Sequence, residues 1–182
     1  MSVAVTIAVV IVLGLWAAAI YSRLVRLKKQ VRLDWGQLER QLKRRHALSA
    51  SLVDLVKGSV SIDQGLVDAI LAAHAQAAHV RGPMDAAAAE AALTEAIRQV
   101  LPSIGRDPAI TARLHVPDLT APLEAVESEI GAAGAAYNTT AAAYNTVIQV
   151  APNNVIAGFG SFPRAERFQP ARTAATTSSG SA

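Results

Sequence analysis

Two histidines, His74 and His79, are the first side chains in this sequence to consider as metal ligands. They are five residues apart on a predicted helix, whereas two ligands on one helical face are three or four residues apart. No carboxylate completes a recognisable ligand set. The chain has no cysteine, which excludes disulfides, thiolate metal sites and cysteine nucleophiles. We therefore predict no metal site and no cofactor.

Motifs for other kinds of catalysis do not stand out either. The sequence shows no hydrolase-like order of serine, histidine and aspartate, no glycine-rich phosphate loop and no paired-carboxylate motif. An enzyme would need a pocket with convergent polar groups, for which Tyr137, Asn138, Tyr144 and Asn145 are the best candidates. Because no reactive constellation is visible, we expect a non-enzymatic protein.

These four side chains belong to a tripeptide, Tyr-Asn-Thr, that occurs twice with a spacing of seven residues. Seven residues are nearly two helical turns, so Tyr137 and Tyr144 lie on one side of a helix, with Asn138 and Asn145 in a row beside them. The favoured interpretation is structural: each tyrosine hydroxyl reaches a polar partner and the asparagines hydrogen-bond to a neighbouring helix. Ligand binding by the two rows is the alternative.

A basic cluster at Lys43, Arg44 and Arg45, with Arg40 one turn before it, is the second candidate interaction site. It could serve anionic lipid headgroups, an acidic partner or nucleic acid. Alternatively, it is a solvated helix face with pairs such as Glu39–Lys43, or a face against which acidic later helices dock. Nucleic acid is disfavoured because the remainder of the domain is acidic and few aromatic residues interleave with the basic ones.

The net charge of +3 conceals a strong asymmetry along the chain. Residues 23–57 hold ten basic and three acidic residues, a net charge of +7. Residues 58–159 hold four basic and ten acidic residues, a net charge of −6. The pI near 9.6 therefore describes one segment rather than the whole surface.

The segment from Val3 to Tyr21 contains nineteen residues without a charge. A helix of that length spans about 28 Å, close to the bilayer hydrocarbon thickness of about 30 Å. Juxtamembrane basic residues follow at once, namely Arg23, Arg26, Lys28, Lys29 and Arg32. We predict an uncleaved anchor over residues 1–22, with a cleaved signal peptide as the alternative. The flanking charge predicts a short outside N terminus and a cytoplasmic remainder.

The rest of the chain is predicted to be helical, because alanine is abundant and aromatic residues make up only 4%. The first helix should continue from the membrane to about Leu48, weaken at residues 49–51 and stop at Gly58. A capping box with Ser61 as N-cap should start the second helix. Gly82-Pro83 should end that helix.

Prolines set the expected boundaries of the later helices. Asp85 should cap a third helix that ends before Pro102, and residues 102–118 should form a long connection. Pro122 should lie in the first turn of the last helix. Near the Tyr-Asn repeats, Gly131 and Gly134 leave room for another helix to approach. Beyond the bundle we predict a disordered low-complexity tail, assigned to residues 161–182 and clearest from Gln169 onward.

The order of these motifs resembles the LemA family. The resemblance rests on the anchor, on DWGQLERQLKRRHALSASLVDLVKG at residues 34–58, on the paired Tyr-Asn motifs and on APNNVIAGFGSFPRAERF at residues 151–168. It covers residues 21–58 and 124–168 well. The chain departs from the family pattern at Ala50-Ser51, at HVPDL (residues 115–119) and at Gly134.

The resemblance implies a membrane-anchored antiparallel helical bundle with no established enzymatic activity. Relatives are often encoded near membrane metalloproteases, and one branch takes part in forming magnetosome membranes. Together with the patterns above, we predict an all-α protein whose N-terminal transmembrane helix continues into an elongated antiparallel bundle over residues 23–160.

The expected function is a non-enzymatic scaffold or adaptor that organises membrane proteins or membrane shape in a bacterial cell membrane. The alternative is a regulator of envelope stress or membrane proteolysis acting through a metalloprotease. The expected partners are accordingly the membrane, further copies of this chain, or a membrane protease or other envelope protein, and not nucleic acid.

Overall fold

A computed structural model describes residues 2–111 and 116–169, and every regular element within these ranges is a helix. The all-α prediction is thereby confirmed. The helices are α1 (Ser2–Lys57), α2 (Gln64–His79), α3 (Pro83–Arg106), α4 (Pro108–Thr111), α5 (Val116–Gln149) and α6 (Asn153–Phe159). The described residues divide into two compact units. The first unit contains residues 2–37 and 135–167, and the second contains residues 38–111, 116–134 and 168–169.

Helix α1 begins with an apolar stretch that is exposed in the isolated chain. Every large apolar side chain from Val3 to Trp16 is between 50% and 73% exposed. The stretch is long and apolar enough to cross a membrane. Helix α1 stays helical through residues 49–51, where the Ser49 hydroxyl donates a hydrogen bond to the His46 carbonyl at 3.0 Å. It ends at Lys57, as expected from Gly58.

The N-terminus of α2 corrects the predicted capping box. Asp63, rather than Ser61, is the N-cap, and its carboxylate accepts hydrogen bonds from the N–H groups of Gly65 at 2.8 Å and Leu66 at 3.3 Å. A carboxylate one residue before the helix satisfies two of its free N–H groups and favours its positive end, which explains why it replaces the serine.

The start of α3 also differs from the prediction. Gly82 is the N-cap with φ at 98°, a conformation that favours glycine, and Pro83 occupies the first turn. Asp85 therefore lies within the first turn instead of capping the helix. Its negative charge still lies at the positive end of the helix.

Two prolines are inside helices where we expected them at boundaries. Helix α3 continues past Pro102 to Arg106, which places Ile104 in the hydrophobic core. Helix α5 begins at Val116, so Pro122 lies inside it rather than in its first turn. The predicted connection over residues 102–118 is thus largely helical in the part that is described, and residues 112–115 lie outside the described residues.

Each unit has its own hydrophobic core. In the second unit, the core joins the end of α1 to α2, α3 and α5 and includes Leu52, Ile70 and Leu123. On α3, Ala89, Leu93, Ile97 and Val100 form one buried stripe. In the first unit, a smaller cluster contains Leu24, Tyr144, Ile148, Ala157 and Phe162.

The segment after α6, through residue 169, has no regular structure. Phe162 and Phe168 are buried in this segment, although we assigned residues 161–182 to a disordered tail. The remaining residues of that predicted tail, 170–182, lie outside the described residues.

Candidate functional site

The Tyr-Asn repeats of α5 hold the irregular segment that follows α6 in the first unit. Tyr137 donates its hydroxyl hydrogen to the Glu166 carbonyl oxygen at 2.6 Å. Tyr144 donates to the Pro163 carbonyl oxygen at 2.9 Å. Both rings are buried, as the structural interpretation of the repeat requires. The polar partners that we predicted for the hydroxyls are therefore main-chain carbonyls.

Asn145 adds a two-way contact with the same segment. Its amide nitrogen donates to the Ala165 carbonyl oxygen at 2.8 Å, and its amide oxygen accepts from the Ala165 N–H at 2.8 Å. We expected the asparagines to bond to a neighbouring helix, which is wrong for Asn145 because its partner has no regular structure. Asn138, seven residues or nearly two turns earlier on α5, is partly buried.

Helix α1 packs on the other side of the repeats within the first unit. The rings of Trp35 and Tyr137 have centroids 5.5 Å apart, and Thr140 donates to Asp34 Oδ2 at 2.6 Å. Further along, Leu24 and Tyr144 belong to one hydrophobic cluster. The contact order is reversed between α1 and α5, so these two helices are antiparallel here.

Burial shapes the chemistry of both tyrosines. Desolvation raises the pKa of Tyr137, and the nearby Glu166 carboxylate raises it further. Desolvation also raises the pKa of Tyr144, although Arg32 opposes this effect. Both hydroxyls therefore stay protonated and act as hydrogen-bond donors across the physiological pH range.

The basic cluster in the second unit separates into exposed and buried members. Lys43 pairs with Glu39 at 3.2 Å, which is the helical pair anticipated from the sequence. Arg44 pairs with Glu129 of α5 at 2.9 Å. Arg40 is exposed. Acidic residues of a later helix thus do meet the basic stretch of α1.

Arg45 lies in the interior, where its side chain is only 4% exposed. Its guanidinium pairs with the Glu90 carboxylate and also donates to the Glu90 carbonyl oxygen at 2.8 Å. Further donors reach the Thr94 hydroxyl at 2.7 Å and Glu127 at 3.5 Å. The Nε atom is buried without a hydrogen-bond partner among the described residues. A charged group this deeply buried needs such a set of partners.

Two histidines extend this cluster. His46 Nε2 is 2.5 Å from the second Glu90 oxygen, and the Ser49 hydroxyl is 2.9 Å from His74 Nδ1. Partial burial lowers the pKa of His74, and the charges of His46 and Lys57 lower it further, whereas Asp54 and Glu90 oppose the shift. We define the buried polar cluster as Arg45, His46, Ser49, His74, Glu90, Thr94 and Glu127.

Sequence reasoning missed the central member of the buried polar cluster. Glu90 is the only charged residue in the run AAAAEAAL of α3, and it stands beside Ala89 on the buried face. A lone acid on an apolar helix face is a signal for a buried ion pair that we did not use. We treated His74 and His79 as candidate ligands. In the described ranges, no group of three or more histidine, aspartate or glutamate side chains is placed to hold a metal ion.

The juxtamembrane basic residues have different surroundings in the first unit. Arg23 and Arg26 are exposed. Lys28 donates to the Ser161 carbonyl oxygen at 3.0 Å. Lys28, Lys29 and Arg32 line one groove.

Comparison with known protein families identifies the family of this chain. The model of the LemA family matches residues 34–179, which is most of the chain. The chain belongs to the LemA family. A search of curated proteins returned no match.

The LemA match includes both sets of contacts described above. It begins at Asp34, so it covers the Arg45 cluster, the Tyr-Asn repeats and the segment that they bind. The apolar part of α1 and all five juxtamembrane basic residues precede the matched range. The family assignment therefore supports the helical body and leaves the N-terminal segment to be argued from its own residues.

Proposed function

We propose that this LemA-family protein is a single-pass membrane protein whose helical body acts as a non-enzymatic scaffold or adaptor. The observation that carries the proposal is the exposed apolar surface of α1, where large side chains from Val3 to Trp16 are at least half exposed. Such a surface around a whole helix is unfavourable in water. A bilayer would bury this surface, and the apolar stretch is long enough to span its hydrocarbon region.

The orientation follows from the charges that flank the apolar stretch. Five basic residues follow Tyr21 within eleven positions. Positively charged flanks remain on the cytoplasmic side of bacterial membranes. We therefore place the N-terminus outside and the helical body in the cytoplasm.

The scaffold role is supported by how the polar side chains are used. The Tyr-Asn repeats bind a neighbouring main-chain segment, and the Arg45 guanidinium is taken up by Glu90, Thr94 and Glu127. These groups stabilise the fold instead of converging on an open cavity. Their chemistry suits a body that presents fixed surfaces to other proteins.

The orientation is testable because the chain has no native cysteine. Single cysteines are introduced by Ser2→Cys near the N-terminus and by Val60→Cys at a fully exposed position between α1 and α2. In intact cells, a membrane-impermeant maleimide should label the first variant and not the second. Alkaline carbonate should leave the wild-type chain in the membrane pellet. Labelling of the Val60 variant in intact cells, or release by carbonate, would contradict the proposal.

Scaffold and regulator are then separated by what copurifies after gentle detergent extraction. An assembly of this chain alone supports a scaffold, whereas a stoichiometric membrane protease supports the regulatory alternative. Mass determination of the purified complex distinguishes the two outcomes.

A further inference from the structure

A groove of about 360 Å³ lies in the first unit, between α1 and the turn after α6. Five of its lining residues belong to α1, namely Tyr21, Val25, Lys28, Lys29 and Arg32. The opposite side is formed by Gly160 and Phe162. Its volume is within the range of small-molecule binding sites.

The aromatic wall of this groove is fixed by contacts to α1. The Phe162 ring meets the Tyr21 ring edge-on, with centroids 5.7 Å apart and planes at 79°. Lys28 Nζ lies 5.2 Å from the centre of the Phe162 ring and donates to the Ser161 carbonyl oxygen at 3.0 Å. These contacts hold one cation in place beside the cavity.

The charge of the groove is strongly positive. Three cationic side chains line it, and none of its lining residues is acidic. Within the described ranges, Lys29 and Arg32 form no salt bridge. Lys28 bonds to a neutral carbonyl, so its charge is also uncompensated. This combination suits an anion with several oxygen acceptors, because Arg and Lys both bind phosphate well.

The position of the groove along α1 relates it to the proposed membrane anchor. Lys28 and Arg32 follow Tyr21 by seven and eleven residues, or about 10 and 16 Å of helix. Side chains on a helix lean toward its N-terminus, which brings both cations closer to the bilayer surface. Tyr21 and Val25 form the end of the groove nearest to the apolar stretch. The groove is therefore apolar toward the membrane and cationic away from it.

We propose that this groove binds the phosphate group of an anionic glycerophospholipid, with the cations on the phosphate and with Tyr21, Val25 and Phe162 against the glycerol end of the lipid. The proposal depends on the membrane insertion proposed above. Soluble glycerol phosphate offers the same phosphate chemistry, so the experiment has to separate the two sources.

The test uses the full chain in nanodiscs made of equal parts phosphatidylglycerol and phosphatidylcholine. Native mass spectrometry then measures the ratio of the two lipids that remain bound to the ejected protein. The test variant is Lys28→Gln with Arg32→Gln. The matched control is Arg23→Gln with Arg26→Gln, which removes the same charge from the same helix at positions that do not line the groove.

We expect wild type and control to retain phosphatidylglycerol preferentially and the test variant to lose this preference by about tenfold or more, since each surface cation contributes a few-fold. If the two double variants lose the preference for phosphatidylglycerol equally, binding in the groove is refuted, and general electrostatic attraction explains the preference. Retention of both lipids without preference by the wild type would overturn it as well.

A second arm adds glycerol 3-phosphate to nanodiscs of phosphatidylcholine alone and measures its binding by calorimetry. No saturable binding is expected, because the lipid brings its phosphate to the groove from the bilayer. If glycerol 3-phosphate binds saturably to the wild type, and the Lys28→Gln with Arg32→Gln variant no longer binds it, the ligand is a soluble phosphate and the lipid assignment is refuted. Failure of membrane insertion would appear separately, as release of the wild-type chain by alkaline carbonate.

Discussion

Asn145 and Ala165 exchange two hydrogen bonds of 2.8 Å, with the side-chain amide of Asn145 taking the part of a peptide group. An amide side chain is one of the few that can both donate to and accept from the same residue's main chain. The pair joins a helix to a segment that has no regular partner of its own. Asn145 therefore satisfies main-chain groups that a helix or a sheet would otherwise satisfy.

Replacement of Asn145 by alanine should destabilise the protein by about 1–3 kcal/mol. The change leaves the N–H and carbonyl groups of Ala165 without their side-chain partners, which costs more than the net gain from a single hydrogen bond. The measurement is the free energy of unfolding of the detergent-solubilised full chain in urea, followed by circular dichroism. Asn154→Ala, at an exposed position of α6, is the matched control and should change it by less than about 0.5 kcal/mol. Equal effects of the two variants would refute the role given to Asn145.

Two substitutions at Tyr144 should separate its ring from its hydroxyl. Tyr144→Phe removes only the hydrogen bond to Pro163 and should cost about 1 kcal/mol. Tyr144→Ala also removes a ring that is 2% exposed and should cost about 3–5 kcal/mol. The measurement is thermal unfolding of the wild type and the two variants in the same detergent, which gives the order of their stabilities. Unchanged melting of the alanine variant would show that the ring is not a packing element and would favour ligand binding.

The Tyr-Asn repeat shows how far sequence reasoning reaches. Its seven-residue period predicts a shared helix face, and both tyrosines are buried as packing requires. The partner could not be predicted, because residues 163–166 contribute main-chain atoms, which every residue type possesses. Periodicity identifies which face of a helix is covered and carries no information about an irregular segment that covers it.

Arg45 and Arg44 are adjacent in sequence and should respond very differently to substitution. Arg45→Met leaves the buried Glu90 carboxylate without its cation and should cost about 3–5 kcal/mol. Arg44→Met breaks an exposed pair with Glu129 and should cost less than about 1 kcal/mol. Urea unfolding of both variants is the measurement. A double variant, Arg45→Met with Glu90→Met, should recover much of the loss, because neither buried charge then remains. A small effect of Arg45→Met alone would contradict the buried pair.

The lowered pKa of His74 should make the fold weaker in mild acid. Burial favours neutral His74 in the folded chain, so the unfolded chain binds more protons as the pH falls below the ordinary value of 6.5. This contribution to stability is complete above pH 6.5 and is lost as the pH falls toward the lowered pKa. His74→Gln should reduce the fall in unfolding free energy between pH 7.5 and pH 5.5.

The control for this pH effect is His79→Gln, at an exposed position on the same helix. It should keep the pH dependence of the wild type in urea titrations at the two pH values. If the His74 variant also keeps the full dependence, other groups cause it and the contribution of His74 is refuted.

Two glycines of α5 offer a matched pair of substitutions. A Cβ atom at Gly131 would meet nothing within 4 Å, so Gly131→Ala should stabilise the helix by up to about 1 kcal/mol. A Cβ atom at Gly134 would lie 3.2 Å from the Phe168 ring, which has to shift to accept it. Gly134→Ala should therefore gain less than Gly131→Ala or lose stability. A larger gain at Gly134 in thermal unfolding would show that Phe168 does not fill this position.

The glycines also illustrate what small residues can and cannot predict. Their small size predicted that another helix approaches closely, whereas the group that lies against Gly134 is the Phe168 ring. Likewise, Pro102 predicted a helix end because it lacks an N–H, yet burial of Ile104 keeps the chain helical beyond it. Helix propensity gives the free energy that a residue such as proline costs inside a helix. Whether the helix forms there depends on the tertiary contacts that offset this cost.

The burial of Arg45 likewise could not be predicted from its neighbours in sequence. In sequence it belongs to a run of basic residues, which predicts a solvated face. Only the helical position of Glu90, on an otherwise apolar face far along the chain, places the partner that allows burial. Assigning that pair from sequence would require knowing which helices are neighbours.

Residues 163–166, between the buried side chains of Phe162 and Phe168, are held mainly through their main-chain atoms. Tyr137, Tyr144 and Asn145 reach carbonyl oxygens and one N–H, while the side chains of Arg164 and Glu166 remain exposed. Substitutions at these two exposed positions should therefore leave the attachment unchanged and cost little stability. The side chains at these two positions can therefore be changed to introduce a reporter group or a new binding specificity while the main chain stays attached to α5.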